Sequence, residues 1–160
     1  MKNTGRLAAV IVVLVVLIAV IYGLAKANIS ALPEPGPLET TVAARVRNWL
    51  IARAARSVPH PIVQDNAASI SKGKALYSMD CASCHGRDAI APSPIGRAMY
   101  PRVPKLGSPM VQRLSDRELF WVIANGIRLS GMPSFAHINT RREIWQLTYY
   151  VRSLGKPAER

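Results

Sequence analysis

Cys81-Ala82-Ser83-Cys84-His85 holds both cysteines of a 160-residue chain and one of its three histidines. Two cysteines cannot build a disulfide-dense secreted scaffold. A disulfide between cysteines three apart closes a tiny loop and constrains little. A dithiol redox site uses C-x-x-C beside a βαβ pattern, and no segment here alternates with the period of a strand. A tetrahedral zinc site needs two further ligands at suitable spacing. His60, His85 and His137 form no such pair.

Covalent attachment of a porphyrin fits better, because C-x-x-C-H is the pattern of c-type haem attachment. Two thiols about one helical turn apart can each add across one vinyl group of the same ring. The next residue then holds its imidazole on the axis of the iron. Cys81 and Cys84 are read as the covalent residues of one haem c, and His85 as the first axial ligand. His60, His137, Met79, Met99, Met110 and Met132 are the candidates for the second axial ligand. Met79 lies in the helix leading into the motif, too close in sequence to reach the opposite haem face. Met132 sits in Gly131-Met132-Pro133. The glycine lets backbone approach a ring, and the proline biases Met132 toward extended geometry. Met132 is the first choice, Met99 the second and His137 the third.

Outward from the motif, the elements read as helices. Asn66 or Ser69 can cap a helix that runs to about Asp80 and carries Ile70, Gly73, Leu76 and Tyr77. Residues 89–110 contain five prolines and predict a long functional loop. Ser115-Asp116-Arg117-Glu118 reads as a cap with an acidic first turn, and Asn125-Gly126 as the stop. Residues 127–138 read as loop. Thr140 opens a last helix with Ile144, Leu147, Tyr150 and Val151 on one face, ended by Gly155 and Pro157. The fold class is all-α.

The N-terminal part is different. Leu7 to Ala25 contains no charge. At about 1.5 Å per residue it spans roughly 28 Å, close to the hydrocarbon thickness of a bilayer. Residues 1–27 are read as a transmembrane anchor. A small-x-small pattern at Ala25-Lys26-Ala27 leaves a cleaved signal peptide open. Lys2 and Arg6 favour the cytoplasmic side, which puts the rest of the chain on the periplasmic side of the inner membrane. Residues 28–65 form a proline-rich spacer and a basic helix. In that helix Thr40 or Thr41 is the expected N-cap, Val42, Val46, Trp49 and Leu50 form an apolar stripe, and Arg45, Arg47, Arg53 and Arg56 cover much of the rest. Two readings stay open for the stripe: it packs on the main domain, or it lies on a membrane surface. The main domain is expected over residues 66–157.

The net charge is +12, and residues 66–160 carry 14 Lys and Arg against six Asp and Glu. That balance points to an acidic docking partner. Nucleic acid is a poor partner for a domain outside the cytoplasm. No Ser/His/Asp set or pair of carboxylates suggests a hydrolase.

The order of these pieces carries a resemblance: a helix ending in CASCH, a proline-rich loop, a helix ending in ANGIR, then SGMPSF, then IWQLTYYVRSL. Over roughly residues 66–156 the chain resembles the class I c-type cytochromes. It is similar to cytochrome c6 and to the cytochrome subunit domains of cbb3 oxidases. The resemblance implies a cytochrome c fold around one covalent haem, with His85 proximal and Met132 distal. It implies that the helix with Gly73 and Tyr77 crosses the helix with Trp145 and Tyr149. It implies a proline carbonyl, Pro92 or Pro94, that accepts from the proximal His, and propionate partners among Arg97, Arg102 and Lys105. The implied function is one-electron transfer between respiratory or photosynthetic redox partners, not catalysis. The competing class is a haem enzyme or gas sensor with a labile sixth ligand.

Overall fold

The computed structural model describes residues 2–27 and 29–155. The stop signal at Pro157 and the charges at Lys156, Glu159 and Arg160 lie outside the described residues. Two compact units are present, residues 1–30 and 31–160. The first is one helix, α1 (Lys2–Ala25). Gly5–Ala25 is long and apolar enough to cross a membrane, and none of it is buried. Side chains apolar on every face suit a lipid surround.

The second unit is also helical. It contains α2 (Pro37–Ala54), a 3-10 turn (Ala55–Ser57), α3 (Ala67–Asp80), α4 (Ala82–His85), α5 (Pro94–Ala98), α6 (Pro109–Gln112), α7 (Asp116–Asn125) and α8 (Arg141–Ser153). No strand forms among the described residues. The sequence signals act as caps. The Asn66 side chain accepts from the Ser69 amide at 2.9 Å. Ser115 with Glu118, and Thr140 with Glu143, form reciprocal capping boxes at α7 and α8. Each box satisfies donors that the first helical turn leaves unpaired.

Two expectations about helix starts need correction. α2 begins at Pro37 with Gly36 as N-cap, not at Thr40 or Thr41. The two threonine hydroxyls instead donate back to the carbonyls of Gly36 and Pro37, inside the helix. Proline suits the first helical position, where no amide hydrogen is needed. For the same reason the proline-rich stretch is not all loop: Pro94 opens α5 and Pro109 opens α6.

The core is the pairing of α3 with α8, with α7 packed beside α8. A β-carbon on Gly73 would meet the Gln146 carbonyl oxygen at 2.0 Å, so the bare α-carbon admits the α8 backbone. The Tyr77 and Tyr150 rings lie 5.1 Å apart at 55°. The face of α8 turned to α3 is thus Gln146 and Tyr150, one residue on from the expected Trp145 and Tyr149. One residue turns a helix by about 100°, so Trp145, fully buried, faces Phe120 at 4.5 Å. The Tyr149 hydroxyl donates to the Val63 carbonyl at 3.1 Å. Arg152 ties α8 to its neighbours through Asp116, at 2.8 Å, and through the carbonyls of Gln112 and Leu114.

The basic helix belongs partly to this core. Ile51, Ala55 and Val58 are buried, and α2 packs on α7. Yet Val42, Val46, Trp49 and Leu50 are exposed. The face that packs is the opposite one, so the stripe read from the sequence is not what holds the helix down.

Candidate functional site

The motif is built by the end of α3. Cys81 caps α3 and starts α4, and its carbonyl accepts from the amides of Cys84 and His85 at 3.1 and 2.9 Å. Gly86 follows at φ +86°, and a β-carbon there would meet the Ala91 carbonyl oxygen at 2.0 Å. The buried Tyr77 hydroxyl donates to the Gly86 carbonyl at 2.5 Å. The next loop folds back over the motif. The Ser93 amide donates to the Cys84 carbonyl at 3.1 Å, and the Ser93 hydroxyl to the Ser83 carbonyl at 2.6 Å. Gly96 lies so close that a β-carbon would meet the Cys84 carbonyl oxygen at 2.2 Å.

Cys81 and Cys84 are half-buried free thiols. Burial pushes the Cys81 thiol up to about 12, helped by the charges of Asp80 and Cys84. A reactive dithiol needs the reverse shift, toward thiolate. Among the described residues no group of three or more His, Cys, Asp and Glu side chains is placed to hold a metal ion.

Burial holds the His85 imidazole below its usual pKa, while the Pro104 carbonyl acts as an acceptor in the opposite sense. Nδ1 itself is buried and outside hydrogen-bond geometry. The acceptor facing the ring is therefore Pro104, not Pro92 or Pro94. The Pro92 carbonyl is taken by the Arg97 guanidinium at 2.6 Å, and Pro94 opens α5. Five prolines in one loop look alike in sequence, and only the fold of that loop distinguishes Pro104. Of the three basic side chains considered for propionates, Arg97 makes the contact just given, Arg102 pairs with Glu34 at 3.1 Å, and Lys105 is exposed.

Met132 sits in the turn after α7. Gly126 has φ +69°, and a β-carbon there would meet the carbonyl oxygens of Met132 and Pro133 at 2.6 Å. The Met132 carbonyl accepts from Ile127 and its amide donates to the Ser130 hydroxyl, both at 3.2 Å. Phe135 and Ala136 donate to the carbonyls of Ile123 and Ala124, which pins the far end of the turn to α7. Met132 and Cys81 are both half-buried against the same core cluster. Met99 comes to the same turn: its sulfur lies 2.6 Å from where a Gly131 β-carbon would stand. His137 and Met110 are exposed, Met79 is exposed on α3, and exposed His60 lies beside Arg117 at 3.2 Å.

These residues fit a haem. The buried Nδ1 of His85 completes no hydrogen bond, two half-buried thiols precede it in the same turn of chain, and the Met99 thioether lies against Gly131, the residue before Met132. Thioether sulfur and imidazole nitrogen are also ordinary axial donors to haem iron.

The family model for cytochrome c oxidase, cbb3-type, subunit III matches residues 68–151, more than half of the chain. No curated protein matches the chain at a significant level. Among solved structures, a chain of the reducing HAO-like protein complex of Kuenenia stuttgartiensis is similar, with a TM-score of 0.52 at 24% identity. The likeness covers 59% of this chain and 47% of that one, so it spans less than half of the longer relative. At that identity it speaks for the fold alone. Helices α3 to α8, the Cys81–His85 motif and the match over residues 68–151 agree: the chain belongs to the cbb3-type subunit III family of cytochrome c domains, electron-transfer domains that bind haem c covalently.

Proposed function

We propose that this is a membrane-anchored, single-haem electron carrier. Cys81 and Cys84 would hold the haem covalently, each thiol giving its sulfur to one vinyl carbon and its proton to the other. His85 and Met132 would supply the two ligands to its iron. When bound, the haem supplies a reversible one-electron change at iron. The chain holds the proximal imidazole, with Pro104 as its backbone acceptor, and holds Met132 through the Gly126–Pro133 turn. A closed His/Met site raises the potential relative to His/His and leaves no position for substrate, so the domain carries electrons without bond-making chemistry. The first helix crosses the cytoplasmic membrane, with Lys2 and Arg6 inside and the haem domain on the periplasmic side. The redox partner presents an acidic surface.

The observation that carries the reading is the single helical turn that sets the free, half-buried thiols of Cys81 and Cys84 directly ahead of the half-buried imidazole of His85. Acid-acetone extraction of the purified holoprotein tests it. The haem is expected to stay with the polypeptide, with the pyridine haemochrome spectrum of saturated vinyl groups. Transfer of all haem to the solvent overturns it.

A further inference from the structure

Helix α2 has two apolar faces, and the domain uses one. Ile51 and Ala55 are buried, and Ala44, Arg47 and Ala54 are half-buried on the same side. At 100° per residue, Leu38, Val42, Val46 and Trp49 lie on the opposite side, with Leu50 at the edge between the two. All five are at least half exposed: Leu38 77%, Val42 51%, Val46 51%, Trp49 61% and Leu50 50%. A continuous exposed stripe of this kind marks an interaction surface.

Its flanks are basic. Arg45, Arg53 and Arg56 are exposed along it, and the Arg53 guanidinium lies 5.9 Å from the Trp49 ring centroid. The acidic group of the helix, Glu39, is engaged by the Tyr100 hydroxyl. An apolar stripe with a tryptophan and an arginine border matches the boundary between acyl chains and anionic headgroups. An acidic protein surface would pair with the arginines but leave Val42, Val46 and Leu50 in water. The chain also sets a short tether. Eleven residues separate Ala25 from Pro37, which reach at most about 40 Å. If α1 is in a bilayer, α2 is never far from its surface.

We propose that the Leu38–Leu50 stripe of α2 lies on the anionic phospholipid surface of the membrane that α1 crosses. This rests on the anchor reading above. Docking by a face opposite Ile51 and Ala55 leaves the packing of α2 on α7 intact. It makes the haem domain a restrained body at the surface, not one swinging freely on a spacer.

The test uses the full-length holoprotein in vesicles of phosphatidylcholine with phosphatidylglycerol. A spin label is placed by Val46→Cys on the stripe, or by Lys72→Cys on exposed α3 as the control. Collisions with oxygen and with a polar nickel chelate are measured at each site. Alkaline carbonate extraction of the same vesicles reports separately on α1. The expected result is retention after carbonate, with several-fold lower chelate access and higher oxygen access at position 46 than at 72. Arg45→Gln with Arg53→Gln, or vesicles of phosphatidylcholine alone, should reduce the contrast. Retention after carbonate with equal access at both sites overturns the docking and leaves the anchor standing, with the stripe reassigned to a protein partner. Loss of the protein from carbonate-washed vesicles overturns the anchor, and the docking with it.

Discussion

The α-carbon of Gly73 rests against the carbonyl of Gln146, so closely that a β-carbon would sit 2.0 Å from its oxygen and 2.9 Å from the Tyr150 β-carbon. Alanine in place of a mid-helix glycine ordinarily gains about 1 kcal/mol of helix propensity. Here the contact is backbone, which no rotamer can relieve, and overpacking costs about 1–3 kcal/mol or more. Gly73→Ala is expected to be net destabilising, and Gly73→Val more so, in denaturant unfolding of the holoprotein. A gain in stability for Gly73→Ala would mean that α3 does not pack on α8 this closely.

Ile51 and Leu50 are neighbours with opposite fates. Ile51 is 3% exposed and Leu50 half exposed. Ile51→Ala is expected to cost about 2–4 kcal/mol, and Leu50→Ala about 0.5 kcal/mol or less. Equal losses in thermal unfolding would show that α2 is not part of the haem domain's core.

Met99 reaches Gly131, the residue before Met132, and variants of the two methionines should part spectroscopically. Met132→Ala is expected to abolish the weak near-infrared sulfur-to-iron band of the ferric protein, lower the reduction potential and admit carbon monoxide to the ferrous form. Met99→Ala is expected to keep the band. If Met99→Ala loses it and Met132→Ala does not, the axial ligand is Met99.

Acid should loosen the last helix. The Thr140 hydroxyl and amide, bonded to the Glu143 carboxylate at 2.7 Å, hold its pKa below the usual glutamate range. A carboxylate with a depressed folded-state pKa stabilises fully above its unfolded value, and that contribution fades as pH falls through the folded one. Stability measured from pH 7 downward should decline below about pH 4.5. Glu143→Gln removes this part of the slope. Thr140→Ala should cost about 1 kcal/mol at neutral pH. An acid limb identical in Glu143→Gln and wild type would discard the idea.

Electron exchange with an acidic partner should slow as salt is added. Residues 66–160 carry eight more basic than acidic side chains, and steered association weakens with ionic strength. A transfer rate flat across a wide salt range would remove steering and favour a permanently docked subunit.

Local chemistry was readable from sequence wherever the signal was short-range. The caps at Asn66, Ser115 and Thr140 are side chain to backbone contacts within three residues. The all-α class follows from the periodicity of α7 and α8. What escaped depends on tertiary placement. A helix with apolar residues on two faces does not say which face packs, and α2 uses Ile51 and Ala55 where the stronger stripe is Val42 to Leu50. Pro104 was hidden among equivalent prolines. Tyr150 was on the expected apolar face of α8, but its pairing with Tyr77 depends on how α3 lies across it. The proposed axial role of His85 rests on residue type and spacing. That of Met132 rests on the turn after α7, whose Gly131 is also reached by Met99.

The pairing of α3 with α8 also has a consequence in time. The first helix of the haem domain packs Gly73 against Gln146 and Tyr77 against Tyr150, each partner 73 residues further along the chain. At roughly 5–20 residues per second, the stretch from Cys84 to Ser153 takes about 3–14 s to synthesise. Throughout that interval α3 lacks α8, its main partner, and the clasp of Ser93 and Gly96 over the motif has no finished core to close on. The two thiols therefore spend seconds in open chain, when a bulky planar group can be brought to them from either side. A circular permutation that placed α8 ahead of α3 would shorten that interval, and incomplete haem attachment is the expected result.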